Sequence, residues 1–305
     1  MTDKLLSMGE AIERFVPDGT AVLMGAALES LIPFAAGHEI IRRGRRDLTL
    51  VGPISDILFD QLIGAGCARK VVAAWVGNVS AGLGHNYRRA AEMAIPNRIE
   101  IQDHSNFSLA LALQAGAMGI PFIPTRTLLG SDLLKTNPAL REWTAPWSGD
   151  RLILVSPLQP DVAILHVQRA DAGGAAHCWG NLGVSVEAAL ASRRVILTAE
   201  EIVEPGVIRS DPNRVLAPPF KVHAVVHAPY GAHPSPVQGY YDRDHDFFHQ
   251  YHVESRTVEG FAAWARQWIL DLSDRAVYLD RLGEGRLTRL GVKAHRWAAP
   301  VDYGY

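Results

Sequence analysis

Short polar residues follow several of the predicted strands at the point where each strand ends, and they are the first candidates for chemistry. Such side chains, with the backbone N–H groups that open a helix, can hold a carboxylate, a phosphate or a developing oxyanion. Taken singly, each residue also has a structural explanation, because serine, asparagine and aspartate are common N-caps. Their repetition at one sheet edge favours a binding site. The residues are Gly25, Asn78, Ser80, Ser105, Asn106, Gly130, Ser131 and Asp132.

Arg126 follows a predicted strand at 121–123 and is the best cationic candidate in the chain. Its planar guanidinium can bind a substrate carboxylate through two parallel hydrogen bonds. An ion pair inside the protein explains the same residue equally well. The sequence leaves both interpretations open.

One spacing resembles a set of metal ligands. His245, His249 and His252 would share one face of a helix, as metal-binding histidines often do. Aromatic residues interleave with them and two aspartates precede them, so an amphipathic segment with solvated imidazoles explains the pattern better. His177 and Cys178 lack a second ligand pair and are expected to be structural. We expect no metal site.

Three common catalytic and nucleotide-binding motifs are absent from the sequence. There is no glycine-rich loop ending in Gly-Lys-Ser or Gly-Lys-Thr, and Gly64 and Gly66 lack the third glycine of a dinucleotide fingerprint. The Gly-x-Ser-x-Gly turn of serine hydrolases is also missing.

Apolar, β-rich runs alternate with segments of helical period, which is typical of a mostly parallel sheet with helices on both faces. The sequence therefore predicts an open α/β fold at residues 1–230 and a C-terminal helical extension at 231–305, packed on the same lobe. The site is expected at the carboxyl ends of the strands. Strands are predicted at 20–25, 48–51, 70–76, 98–101, 121–123, 152–155, 162–167, 195–198 and 222–228, and helices at 32–43, 57–64, 87–94, 107–118, 184–191, 258–271 and 274–282.

Composition narrows the class of protein. The 305 residues carry 30 basic and 32 acidic side chains, a net charge of −2, which gives no electrostatic footprint for nucleic acid. The most apolar stretch, residues 21–41, contains charged residues and a proline, so no membrane span is expected. Two distant cysteines, Cys67 and Cys178, and a start without the pattern of a secretory leader indicate a cytoplasmic protein.

Residues 18–25, Asp-Gly-Thr-Ala-Val-Leu-Met-Gly, and Pro33 resemble the N-terminal signature of family I coenzyme A transferases. Ala26, Ala27 and Leu31 stand where that signature has Gly, Phe and Gly. Further segments are similar to the A (alpha) subunit of the glutaconate CoA-transferase branch, and the resemblance covers roughly residues 5–275. They include HEIIRRGRRDLTLVGPISD, QAGAMGIPFIPTRTLLGSDL, HVQRADAGGAAHCWGN and GAHPSPVQGYYDRD.

The resemblance implies the open α/β fold of these transferases and a B (beta) subunit of similar fold, usually in an α2β2 assembly. It implies a coenzyme A thioester as substrate, no bound cofactor, and a glutamate of the B subunit that forms acyl-glutamyl and glutamyl-CoA intermediates. Glu204 and Glu259 precede glycines without the matching context, so this chain should carry no catalytic residue and be inactive alone.

The same resemblance assigns residues to the acyl pocket. Where related transferases place an oxyanion-binding Asn, this chain has the turn that ends at Ser55. Asn106 stands where a ring-cleaving hydrolase branch has a catalytic glutamate; an amide cannot act as a base, which favours transfer over hydrolysis. The alternatives are a two-subunit thioester or ring-cleaving hydrolase and a non-catalytic subunit that binds acyl-CoA. The substrate-binding set is Asn106, Ser105, Asn78, Ser80, Arg126, Ser55 and Gly25.

Overall fold

The central element is a sheet of seven parallel strands, which a computed structural model describes together with the rest of residues 3–292. The strands of the chain are β1 (Ala21–Leu23), β2 (Leu48–Ile54), β3 (Ala68–Trp75), β4 (Gly77–Asn78), β5 (Gly82–Leu83), β6 (Glu100–Asp103), β7 (Ile123–Thr125), β8 (Leu140–Thr144), β9 (Arg151–Val155), β10 (Val162–Ala170), β11 (Ala176–His177), β12 (Arg194–Ile202) and β13 (Val222–His227). The parallel order is β13-β12-β10-β1-β2-β3-β6, and the short β11 pairs antiparallel with β10.

Twelve α-helices lie among residues 3–292. They are α1 (Met8–Phe15), α2 (Phe34–Arg42), α3 (Asp56–Gly64), α4 (His85–Met93), α5 (Asn106–Met118), α6 (Leu133–Thr136), α7 (Ser185–Ala191), α8 (Pro205–Arg209), α9 (His245–Glu254), α10 (Val258–Ala265), α11 (Arg275–Leu282) and α12 (Glu284–Leu290). The sequence explains several boundaries: Ser7 caps α1 in a capping box with Glu10, and Gly119 ends α5 in the left-handed conformation.

Both faces of the parallel sheet are covered, so its central strands are apolar at successive positions. One core packs β1, β2 and β3 against α1 to α4 and against aromatic residues of α9, α10 and α11. The other core packs the opposite face against α5 and α7. The predicted open α/β fold is therefore confirmed. None of the helices between residues 3 and 292 is both long and apolar enough to cross a membrane.

Two of the predicted strands belong to a different sheet. β7 and β9 pair antiparallel, and β8 joins them in a separate sheet of order β7-β9-β8. Their predicted ranges were 121–123 and 152–155, so β7 was placed two residues early. The prediction missed β8, because four of its five residues are exposed and leave no buried pattern. Strand 98–101 was placed two residues early, since the observed edge strand β6 is largely exposed and has no apolar run to fix its bounds.

Aromatic side chains attach the C-terminal segment to the first core. Residues 258–271 form α10 and a π-helical turn at Arg266–Leu270, and the segment predicted at 274–282 is α11. Phe247 contacts Trp268 edge-to-face with ring centroids 5.0 Å apart, and Tyr251 contacts Trp264 at 4.7 Å. The proposed division at residue 230 stays a prediction.

Candidate functional site

Six of the seven predicted site residues lie along one edge of the parallel sheet. Gly25 follows β1, Ser55 follows β2, Asn78 and Ser80 follow β3, and Ser105 and Asn106 follow β6. Since β1, β2, β3 and β6 are neighbours in this order, the turns form a row with a spacing of about 4.8 Å per strand.

Arg126 lies outside that row. It follows β7 in the antiparallel sheet, is exposed, and donates to the Asp150 carboxylate at 2.8 Å. An exposed pair of this kind is worth at most about 1 kcal/mol and leaves the guanidinium able to exchange partners.

Gly25 and Ser55 bring the ends of β1 and β2 into close contact. Gly25 has φ +70°, and a Cβ atom there would lie 2.4 Å from Ser55 Oγ, so only glycine fits this turn. The buried Ser55 hydroxyl donates to the Met24 carbonyl at 2.9 Å. The hydroxyl proton is therefore used inside the chain, although the substrate role predicted for Ser55 is untested.

The loop that departs from the transferase signature is buried. Ala26, Ala27 and Leu31 are at most 4% exposed, and Leu31 donates its backbone N–H to the Pro236 carbonyl at 3.0 Å. A Cβ atom on Gly183 would lie 2.3 Å from the Ala26 carbonyl oxygen, so the turn before α7 covers this loop closely. The loop sits beside β10, where the strand order reverses.

The C-terminal segment binds the turn after β3. Asn78 is buried; its amide nitrogen donates to the Phe248 carbonyl at 2.7 Å, and its amide oxygen accepts from the Ser80 N–H at 3.0 Å. The Ser80 hydroxyl accepts from the Arg243 guanidinium at 3.1 Å. Both polar groups of Asn78 are thus engaged within the chain.

Sequence reasoning missed a buried ion pair beneath this turn. Arg243 Nη2 lies 2.6 Å from Asp56 Oδ2, and both side chains are completely buried. Burial raises the pKa of Asp56, and the Arg243 charge opposes that rise. Asp56 has φ +46°, a left-handed conformation that aspartate tolerates better than most residues. Its position directly after β2 was the available signal.

A second buried network was also missed. His166 Nε2 lies 2.6 Å from Glu200 Oε1, and the same oxygen accepts from the Tyr241 hydroxyl at 2.7 Å. Thr198 contacts the other imidazole nitrogen at 2.9 Å, so every member is paired. A histidine and a glutamate inside the apolar strands β10 and β12 were the signal. The network joins the sheet to the segment after β13.

Asn106 differs from the other residues in the row. It is exposed at the first position of the 13-residue helix α5, and its side-chain amide forms no hydrogen bond with any residue between 3 and 292. Ser105 caps the same helix through a reciprocal pair of bonds with Ser108, each 3.0 Å long. The free N–H groups of the first helical turn and the Asn106 amide together offer hydrogen-bond donors to an oxyanion.

His104 stabilises this turn through a hydrogen bond to Ser108. The Ser108 hydroxyl donates to the Ser105 carbonyl at 3.2 Å, so His104 Nδ1, 3.1 Å away, must donate to Ser108. Burial lowers the pKa of His104 to about 4, which keeps the ring neutral near pH 7. Its Nε2 then accepts from Gln102 at 3.4 Å. A neutral imidazole fixes the conformation from which α5 starts.

The histidines with metal-like spacing lie on α9. The His252 ring is 4.6 Å from that of His85, and His249 is exposed. No group of three or more His, Cys, Asp or Glu side chains within residues 3–292 is arranged to hold a metal ion. Glu204 and Glu259 are exposed at the starts of α8 and α10.

Comparison with known proteins identifies the family. Residues 5–228 match the model of the coenzyme A transferase family. The chain belongs to the coenzyme A transferase family. The resemblance inferred from the sequence is thereby confirmed.

Transferase A subunits resemble the chain over nearly its whole length. It is 43% identical to the A subunit of the 3-oxoadipate CoA-transferase of Pseudomonas knackmussii over 93% of its own length and 99% of that protein. It is 33% identical to the A subunit of the glutaconate CoA-transferase of Acidaminococcus fermentans, with 95% of each covered. The crystal structure of glutaconate coenzyme A-transferase from that organism superposes with a TM-score of 0.90 at 32% identity, over 98% of both chains.

Proposed function

We propose that this chain is the A subunit of a heteromeric enzyme that moves coenzyme A from an acyl-CoA to a small or medium carboxylic acid. The single observation that carries the proposal is its match over nearly the whole chain to the A subunits of two such transferases. The nucleophilic glutamate belongs to a B subunit, and α2β2 is the assembly we expect.

The contribution of this chain is binding and charge stabilisation. The Asn106 amide and the first N–H groups of α5 hold the acyl oxygen, which gains negative charge as the thioester is attacked. Arg126 binds the carboxylate of the acid, exchanging Asp150 for substrate. Asn78, Ser80, Ser55 and Gly25 shape the same edge, and Ser105 fixes the turn that carries Asn106.

We also propose a cytoplasmic location. Cys67 and Cys178 are both free and buried, and burial raises the pKa of each thiol to about 12. Such thiols behave as small apolar side chains, which suits a compartment where disulfides are rare.

The test is activity of the chain co-purified with its B subunit. CoA transfer to added acids is measured for the native complex and for Asn106→Ala, with Asn213→Ala as the control, because Asn213 is exposed in the turn at Pro212–Arg214. We expect Asn106→Ala to lower kcat by about 100-fold, the effect of losing one oxyanion donor, with little change for the control. CoA release that is independent of an acceptor acid would instead identify a hydrolase, and no turnover by a stable complex would identify a binding subunit.

A further inference from the structure

A cavity of about 560 Å³ lies beside β13, the outermost parallel strand on the side of the sheet away from β6 and α5. Its walls come from the start of α1, one face of α2, the end of β13 and the start of α11. β13 and β6 are the outermost strands of the parallel sheet, so five strands lie between the strand that borders this cavity and the strand that precedes α5. The size is typical of sites for small ligands.

Arg275 lines the cavity, and its guanidinium is only partly hydrogen-bonded within residues 3–292. Its Nη2 donates to the Tyr230 carbonyl and, at 3.2 Å, to the His233 carbonyl, while the guanidinium lies 4.0 Å from the Tyr278 ring centroid. Its Nε and Nη1 are buried and have no hydrogen-bond partner among residues 3–292. Buried charged donors without partners are costly, and an anion that reached these two nitrogens would supply the missing acceptors.

Arg42 lines the same cavity, one turn of α2 beyond Glu39. Its Nε and Nη2 both lie 2.9 Å from Glu39 Oε2. The other Glu39 oxygen accepts from Arg43 Nε at 2.8 Å, so one carboxylate is shared between two guanidinium groups.

The carboxylates that line the cavity are both engaged within the chain. The Asp274 carboxylate accepts from the Val277 N–H at 3.1 Å and from the Ser273 hydroxyl at 3.0 Å, and is thus occupied in capping α11. Arg43 and Arg45 also share Glu13, which continues the network on the surface. Of the charged side chains that line the cavity, Arg42 and Arg275 are positive and Glu39 and Asp274 are negative. Asp274 is occupied by its cap and Glu39 by Arg42 and Arg43, whereas two donors of Arg275 have no partner among residues 3–292.

We propose that this cavity binds a small anion with paired oxygen atoms, a carboxylate or a phosphate, between Arg42 and Arg275. Planar guanidinium groups match such oxygen pairs better than single point charges do. The cavity lies at the carboxyl end of β13, on the same edge of the sheet as Asn106 but six strands away, and the inference does not depend on which reaction occurs at Asn106.

The test is ligand binding by the purified full chain, followed by calorimetry and by the midpoint of thermal unfolding. Potassium phosphate and sodium succinate are the two probes, and sodium chloride at matched ionic strength is the reference. Arg42→Gln removes one cavity charge; Arg43→Gln is the matched control, because Arg43 is the next residue, contacts the same Glu39, and does not line the cavity. Arg275→Lys keeps the charge but removes the planar donors.

We expect saturable binding of one or both probes, weakened at least tenfold by Arg42→Gln and by Arg275→Lys and less than twofold by Arg43→Gln. Which probe binds tells a phosphate site from a carboxylate site. Circular dichroism of the ligand-free variants checks that each is folded. The proposal is overturned if neither probe binds beyond the chloride reference, or if Arg42→Gln and Arg43→Gln weaken binding equally.

Discussion

The ion pair between Arg243 and Asp56 connects the C-terminal segment to the edge of the sheet, and its removal should have a large and pH-dependent cost. In Arg243→Met, the Asp56 carboxylate keeps its hydrogen bond from the Val79 N–H at 3.2 Å but loses its charged partner. Leaving one charge of a buried pair uncompensated costs about 3–5 kcal/mol. The guanidinium also lies 3.6 Å from the Phe248 ring centroid, a contact that methionine only partly replaces.

The sign of the pH dependence follows from Asp56. Burial already raises the pKa of this carboxyl, and loss of Arg243 raises it further. Below the pKa of the unfolded chain, about 4, Asp56 is neutral in both states and the charge penalty vanishes. As the pH rises above 4, Asp56 loses its proton in the unfolded state first. The loss of stability caused by Arg243→Met therefore grows until the pH passes the raised pKa of Asp56 in the folded chain.

Urea unfolding of the full chain, followed by tryptophan fluorescence at pH 4.5 and pH 7.5, measures this loss in the free energy of unfolding. The double variant Arg243→Met with Asp56→Asn should recover at least about 2 kcal/mol at pH 7.5 relative to the sum of the single variants, since asparagine also tolerates φ +46°. Arg88→Met breaks an exposed pair with Glu92 and should cost under about 0.5 kcal/mol. A cost for Arg243→Met below about 1 kcal/mol, or one that is equal at both pH values, would refute the reasoning.

Three further predictions concern a histidine, a glycine and the two cysteines. Burial lowers the pKa of His104 from 6.5 to about 4, so the free energy of unfolding should fall by up to about 3 kcal/mol as the pH drops from 6.5 to 4. Urea unfolding of His104→Gln should therefore depend less on pH than that of the control His249→Gln, whose site is exposed. Gly25→Ala should lower the free energy of unfolding by about 2 kcal/mol or more, whereas Gly285→Ala, where a Cβ atom meets nothing, should not; equal effects would contradict the steric argument. A thiol reagent should modify neither buried cysteine in the folded chain and both after denaturation, and rapid native modification would contradict their burial.

Strand prediction succeeded where a buried strand is also apolar at successive positions. The starts of β10 and β12 were predicted to within one residue, but the predicted ranges 162–167 and 195–198 end three and four residues before the strands do, where buried polar side chains interrupt the apolar run. The edge strand β6 has no fully buried residue, so nothing in its sequence fixed its bounds. The exposed β8 was missed for the same reason, and its pairing with β9 is not visible in a local pattern. Accuracy thus followed the length of the apolar run in each strand, because buried polar residues and exposed strands leave no such run.

The row of turns was predictable because a strand end is a local feature. Glycine and short polar residues directly after an apolar run mark such an end, and parallel strands bring these ends to one edge. The partners of those turns were not predictable, because they lie far away in the chain. Asn78 binds a carbonyl 170 residues later and Ser80 binds a guanidinium 163 residues later. No periodicity or spacing reports contacts at that separation.

These distant contacts bear on which residues can meet a substrate. A buried amide with both polar groups engaged, such as that of Asn78, must break hydrogen bonds before it can bind anything else, which costs about 1–3 kcal/mol per group left unpaired. Asn106 is exposed and has no such bond to break within residues 3–292, and the backbone turn that carries it is held by the neutral His104 and the Ser105 cap. An unoccupied donor at such a turn can bind developing charge without first breaking hydrogen bonds within the chain. Within this row, Asn106 is therefore the residue whose substitution should change turnover more than stability, and the opposite holds for Asn78.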